Sequence, residues 1–205
     1  MSTTEAHVTA TPVDPPFPDD PIGLLRTWFG TAAEEGVREP GAMALATADE
    51  GGRPSSRTVQ VNTITDRGLV FTTHAGSRKG RELARRPRAS AVLYWRENGR
   101  QIVLEGPVER LPDAEADHLW AVRPVVTHAM STVSRQSEPL DDEERLRAEA
   151  ARLTGLGALP RPESFAGYLL TPDAVEFWQA RTDRLHHRLV YQRTDRGWTT
   201  SRLQP

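Results

Sequence analysis

The 205-residue sequence contains no cysteine, which excludes disulfides and thiolate metal sites. Lysine is almost as scarce: Lys79 stands alone among 26 basic residues, the other 25 being arginines. Neither sign of charge dominates. A formal net charge of −2 is not that of a general nucleic-acid binder, which carries a basic excess to meet phosphates. No apolar run approaches the roughly 20 residues that cross a bilayer as a helix. The first residues, Met-Ser-Thr-Thr-Glu, lack the basic start and apolar stretch of a secretory signal, so the expected location is the cytoplasm. There is no internal repeat and no strand–helix–strand alternation, which removes the doubly wound nucleotide-binding folds.

What the chain does hold is a series of short strand patterns with few long helices. Residues 1–18, rich in Thr, Pro and small polar residues, are expected to form a disordered tail, leaving 19–205 as one domain. Asp20-Pro21 reads as an N-cap followed by proline at the first helical position. Ile22, Leu25, Trp28, Phe29 and Ala32 continue at helical spacing, giving a helix to about Glu35. Beyond it, 42–48, 57–64, 69–73, 90–95, 101–110, 168–171, 175–178, 189–193 and 198–203 read as strands. The turns between them include Asp49-Glu50-Gly51-Gly52, Asp66-Arg67-Gly68 and Glu97-Asn98-Gly99, the last closing a hairpin. Helices are expected at 77–86, 113–122 and 141–153. The pattern predicts a β-rich α+β fold: a small antiparallel barrel with peripheral helices.

Two segments carry chemistry. In Gly76-Ser77-Arg78-Lys79-Gly80, Ser77 can cap a helix whose free N–H groups and dipole favour an anion, with Arg78 and Lys79 adding charge. A solvated basic helix start has the same sequence, so both readings stand. In Glu176-Phe177-Trp178-Gln179 and Arg184-Leu185-His186-His187-Arg188, the arginines suit a carboxylate or phosphate. Trp178 suits an aromatic ligand as well as it suits an ordinary core. The adjacent histidines point to opposite faces of a strand and no third ligand stands nearby, so no metal site is expected. Arg57 and Gln101, each opening a strand, are compatible with ordinary outward positions. By themselves these residues describe a β-rich anion-binding protein.

Taken together and in order, the segments resemble the pyridoxamine 5′-phosphate oxidase superfamily. Arg-Pro-Ser-Ser-Arg-Thr-Val (53–59), Ser-Arg-Lys-Gly-Arg-Glu-Leu (77–83) and Tyr-Trp-Arg-Glu-Asn-Gly-Arg-Gln (94–101) are similar to its flavin-binding core. Arg-Gln-Ser (135–137), Glu-Phe-Trp-Gln (176–179), Arg-Leu-His-His-Arg-Leu-Val-Tyr (184–191) and Arg-Leu-Gln-Pro (202–205) are similar to its C-terminal half. The resemblance implies an FMN-binding split β-barrel, a homodimer with FMN between the subunits. It further implies that Arg57, Arg78, Lys79 and Ser137 hold the FMN phosphate. The run Arg57, Thr58, Val59, Gln60, Val61 and Asn62, with Thr72, Thr73 and Gln101, would line the rest of the cofactor. Gln136, Trp178 and Arg188 would complete the site, some of them from the second subunit.

The departures narrow the substrate. Where pyridoxamine phosphate oxidases grip the substrate phosphate with a lysine, a tyrosine, an arginine and a serine, this sequence has Asn62, Leu119, Arg123 and Thr127. Losing a charged contact to a buried phosphate costs about 1.5–3 kcal/mol, which makes vitamin B6 phosphates doubtful substrates. Residues 123–138 and Val-Leu-Tyr-Trp-Arg-Glu (92–97) instead resemble the phenazine biosynthesis FMN-dependent oxidases. That subfamily oxidises reduced phenazine carboxylic acids and passes the electrons to O2. On this resemblance Arg184 pairs with the substrate carboxylate and His186 orients the substrate or moves a proton. Arg123, Thr127 and His128 belong to the substrate pocket. A true pyridoxamine or pyridoxine phosphate oxidase and a non-enzymatic flavin-binding module are the alternatives.

Overall fold

The structure, a computed structural model, describes residues 16–205. The expected disordered tail therefore lies, for residues 1–15, outside the described residues. Phe17 packs on the core, and the Pro18 carbonyl accepts the Tyr191 hydroxyl at 2.9 Å. Helix α1 (Pro21–Ala32) starts where Asp20 caps the Ile22 and Gly23 N–H groups, both at 2.9 Å.

Strands β1 (Ala42–Ala48), β2 (Pro54–Thr65) and β3 (Gly68–His74) form a meander, followed by helix α2 (Arg78–Arg85) and the hairpin β4 (Arg88–Trp95) and β5 (Arg100–Arg110). Helices α3 (Asp113–Ala121), α4 (His128–Val133) and α5 (Glu143–Thr154) precede β6 (Phe165–Leu170), β7 (Ala174–Gln179), β8 (His187–Thr194) and β9 (Gly197–Arg202). The antiparallel order β4-β1-β2-β3-β6-β5, with β5 returning to β4, closes a six-stranded barrel.

β5 is the branch point. Its first half, Arg100–Glu105, pairs with both β4 and β7, whereas Val108–Arg110 pairs with β6. Gly106 sits at the divergence, where a Cβ would stand 2.2 Å from the Thr171 carbonyl oxygen; only glycine lets the two branches approach. Beyond it β7, β8 and β9 extend the sheet outside the barrel.

The barrel interior holds Met43, Leu45, Phe71, Leu93, Ile102 and Leu104, and α1 seals against it through Trp28, edge-on to Phe177 at 5.2 Å. Trp28 also carries the buried Arg100 guanidinium 4.4 Å from its ring, and Arg100 bonds Glu35 at 2.9 Å.

Three expectations shift. β6 begins at Phe165 rather than Tyr168, because Phe165–Gly167 pair with His74–Thr72. β2 begins at Pro54 rather than Arg57, because Pro54–Ser56 continue the ladder opposite Ala48–Ala46. α4 was not expected at all: six residues with two β-branched members and no side-chain cap carry no local signal. Tertiary contacts hold it, chiefly His128 stacked on Trp120 at 4.2 Å and the Leu159 N–H donating to His128 Nδ1 at 3.3 Å.

Candidate active site

The turn from β3 into α2 gathers the predicted phosphate residues. Ser77 caps α2 by accepting from the Gly80 N–H at 3.2 Å. The Arg78 N–H donates to Ser137 Oγ at 3.1 Å, and Ser137 is held in the left-handed region at φ 70°. A non-glycine residue there stores strain that its surroundings must hold, as at many ligand clamps. Lys79 Nζ donates to Thr73 Oγ1 at 2.8 Å, and Thr73 Oγ1 in turn donates to Gln136 Oε1 at 3.2 Å. Arg57 reaches the same place from β2, donating to Thr47 Oγ1 at 2.6 Å and Ser55 Oγ at 2.5 Å.

Glu82, absent from the sequence expectations, organises this cluster. Its side chain is 6% exposed and accepts from Ser55 at 2.7 Å, Arg78 Nε at 2.9 Å, Arg57 at 3.3 Å and the Thr47 hydroxyl. Burial pushes its pKa up, but the hydrogen bonds from Thr47, Ser55, Arg78 and Arg57 outweigh it and take the carboxyl down to about 2. Glu82 is thus a fixed anion that aims both guanidiniums. The available signal was the four-residue spacing Arg78–Glu82 on a helix. Burial, followed by the nearby Arg57 charge, lowers the Lys79 pKa.

A second group forms a row across strands on the outer face of the sheet. Tyr94 lies opposite Gln101, Gln101 opposite Trp178, and Trp178 opposite Arg188. Arg188 is fixed by a two-point ion pair to Glu176 at 2.6 and 2.9 Å. The His186 ring lies 4.9 Å from Trp178, and His186 Nδ1 accepts the Arg181 N–H at 3.1 Å. Arg184 stands exposed on the adjoining turn at φ 64°.

A third group lies under the helices. Arg123 donates to Thr127 Oγ1 at 2.8 Å and Ser131 Oγ at 3.3 Å and lies over the Phe165 ring. His128 is buried, its Nδ1 accepting the Leu159 N–H.

The structure divides two of the predicted runs. Along β2, Arg57, Val59 and Val61 face inward, while Thr58, Gln60 and Asn62 are exposed on the opposite face. Thr72 and Thr73 likewise point to opposite sides of β3, as neighbours on a strand must. Side chains of these runs therefore do not all converge on one place within one chain.

The sequence profile of pyridoxamine 5′-phosphate oxidase matches residues 29–157, and that of the pyridoxine 5′-phosphate oxidase C-terminal dimerisation region matches 165–205. The chain belongs to the pyridoxamine 5′-phosphate oxidase family. Within that family it is 53% identical to a dihydrophenazinedicarboxylate synthase of Burkholderia lata over 92% of this chain and 89% of that protein. It is 43% identical to a pyridoxine/pyridoxamine 5′-phosphate oxidase of Rubrobacter xylanophilus over 91% of this chain and 87% of that one. Among solved structures it matches Burkholderia lata PhzG in complex with tetrahydrophenazine-1-carboxylic acid, with TM-score 0.93 and 50% identity, covering 98% of this chain and 100% of that one. The split barrel is thus the family fold. No helix among the described residues is long and apolar enough to cross a membrane.

Proposed function

We propose that the chain is a cytoplasmic, homodimeric FMN-dependent oxidase of phenazine biosynthesis. It aromatises a reduced phenazine carboxylic acid with O2 as electron acceptor; residues 19–205 form the FMN-binding unit. The observation that carries the reading is the match to PhzG, solved with a tetrahydrophenazine carboxylic acid, over essentially the whole chain. Asn62 and Leu119, standing where a B6 phosphate site needs charge and hydroxyl, agree with it.

The donor set at α2 fits an FMN phosphate. Three cations, Arg57, Arg78 and Lys79, less the Glu82 carboxylate leave a charge of +2, which matches a phosphate monoester dianion. FMN, when bound, supplies the ring that accepts a hydride from the substrate and returns the electrons to O2.

The remaining chemistry belongs to the protein. The phosphate cluster sits on the inward face of β2 at the start of α2, whereas Gln101, Trp178 and Arg188 line up across β5, β7 and β8 on the outer face of the sheet. One chain presents the two groups on different faces, so two chains are needed to complete one site. The C-terminal dimerisation region, which includes β7 and β8, supplies the pairing.

Arg184 pairs with the substrate carboxylate. Because His186 Nδ1 accepts the Arg181 N–H, the neutral ring carries its proton on Nε2. His186 is then a donor that orients the substrate rather than a base that deprotonates it. Arg123 and Thr127 bond each other, and with His128 they shape the wall of the pocket.

The test is anaerobic reduction of the FMN-loaded protein by tetrahydrophenazine-1-carboxylic acid, followed by reoxidation on admitting O2. Pyridoxine 5′-phosphate should give a kcat/KM lower by roughly 100-fold or more, since one lost charged contact costs about 1.5–3 kcal/mol and two contacts are missing. Arg184→Leu should raise KM for the carboxylate by roughly 10- to 100-fold with a smaller fall in kcat. Comparable turnover of pyridoxine phosphate would make the chain a B6 oxidase. Flavin that no cyclic amine reduces would make it a binding module.

A further inference from the structure

The lone lysine has a second property. Lys79 Nζ is held only by hydroxyls, Thr73 Oγ1 at 2.8 Å and Ser77 Oγ at 3.4 Å, and it forms no ion pair among the described residues. Glu82, the carboxylate of the cluster, is saturated by Thr47, Ser55, Arg57 and Arg78. Burial and the Arg57 charge both lower the Lys79 pKa, so the neutral, nucleophilic amine is more accessible here than on a surface lysine. It also stands inside a cradle built for a phosphate dianion.

An acyl phosphate fits this combination better than other electrophiles. Its head is a dianion that suits the Arg57 and Arg78 guanidiniums, and its carbonyl carbon lies one oxygen away from phosphorus. A phosphate ester of an aldehyde would place its carbonyl several bonds farther from the head. We propose that Lys79 is an acylation site, at which an acyl phosphate seated in the cofactor-free cradle transfers its acyl group to the Lys79 amine. The amine lone pair forms a C–N bond to the carbonyl carbon, and the C–O bond to the phosphate breaks. The phosphate leaves with the electron pair, and the amine's surplus proton passes to solvent. The cradle assists by holding the charge that develops on the leaving group.

The consequence follows from charge and bulk. An acylated Lys79 drops the cradle from +2 to +1 and sets an amide among Thr73, Ser77 and Gln136, so FMN binds more weakly. Bound FMN excludes the reagent by occupying the same donors. The inference rests on reading this cluster as the cofactor's phosphate site.

Acetyl phosphate on the full chain, stripped of FMN or loaded with it, tests the proposal. With a single side-chain amine, mass spectrometry has only Lys79 and the terminal amine to distinguish. The stripped chain should gain one acetyl group at Lys79, at a rate that saturates with acetyl phosphate and falls when inorganic phosphate is added. The loaded chain should react there roughly tenfold or more slowly, as expected for occupancy of one shared site. The acetylated chain should bind FMN roughly 100-fold more weakly by fluorescence quenching. Lys79→Arg should take no acetyl group at this position, and Lys79→Gln, checked for folding by its melting curve, should reproduce the weak FMN binding. A rate linear in reagent, insensitive to phosphate and equal to that of the terminal amine would overturn the proposal, as would acetylated protein that binds FMN normally. If the untreated stripped chain fails to bind FMN, the reading of the cradle fails instead, and the two failures are separable.

Discussion

Glu82→Gln is expected to lower the melting temperature of the FMN-free chain by roughly 6–12 °C near neutral pH. The reason is linkage. The Glu82 carboxyl falls from an ordinary 4.5 to about 2 in the folded chain. A shift of that size corresponds to about 3 kcal/mol, and each kcal/mol moves the melting point of a domain this large by about 2–4 °C. The sign is that of a depressed acid: the stabilisation is fully present above the unfolded value of 4.5 and is lost as pH falls through the folded value of about 2. Melting curves of wild type and variant should therefore run apart above about pH 5 and converge towards pH 2. A constant gap across that range would mean that Glu82 contributes through packing alone. Glutamine keeps the shape and one acceptor oxygen, so the contrast isolates the charge that Arg57 and Arg78 lean on.

Gly80→Ala is expected to weaken FMN binding, against the usual preference for alanine in a helix. In an ordinary helix interior the change would stabilise by about 0.8–1 kcal/mol. Here a Cβ would lie 2.3 Å from the Ala75 carbonyl oxygen and 2.6 Å from that of His74, both backbone atoms with no flexible end to yield. Overpacking of this kind costs about 1–3 kcal/mol, which outweighs the helix gain. The displacement falls on the turn that places the Ser77 hydroxyl and the Arg78 N–H. The FMN dissociation constant, read by fluorescence titration, should rise by roughly 100-fold or more, the equivalent of about 2.7 kcal/mol. A variant that binds FMN as tightly as wild type would show that the phosphate sits elsewhere.

Both predictions turn on residues that the sequence presents poorly. Glu82 is one acid among 28, and its four-residue spacing from Arg78 is shared by many solvated helices. What distinguishes it is that β1 and β2 bring Thr47, Ser55 and Arg57 onto the same carboxylate across 25 to 35 residues of chain. Gly80 reads as a mild helix weakener until the His74 and Ala75 carbonyls are seen beneath it.

Local rules were enough for much of the rest. Asp20-Pro21 starts α1, Ser77 caps α2, and the Gly99 turn closes the β4–β5 hairpin as expected, because caps and turns are decided by a few adjacent residues. The order of strand and helix signals, the absence of cysteine and the run of family-like segments determined the barrel class and the family. Tertiary structure alone decided the rest: the branching of β5, the existence of α4, and which half of each strand run faces inward. It also set Arg57 and Trp178 on different faces. A strand's alternation fixes which residues share a face, but which face meets a ligand, a helix or a second subunit depends on partners far along the chain.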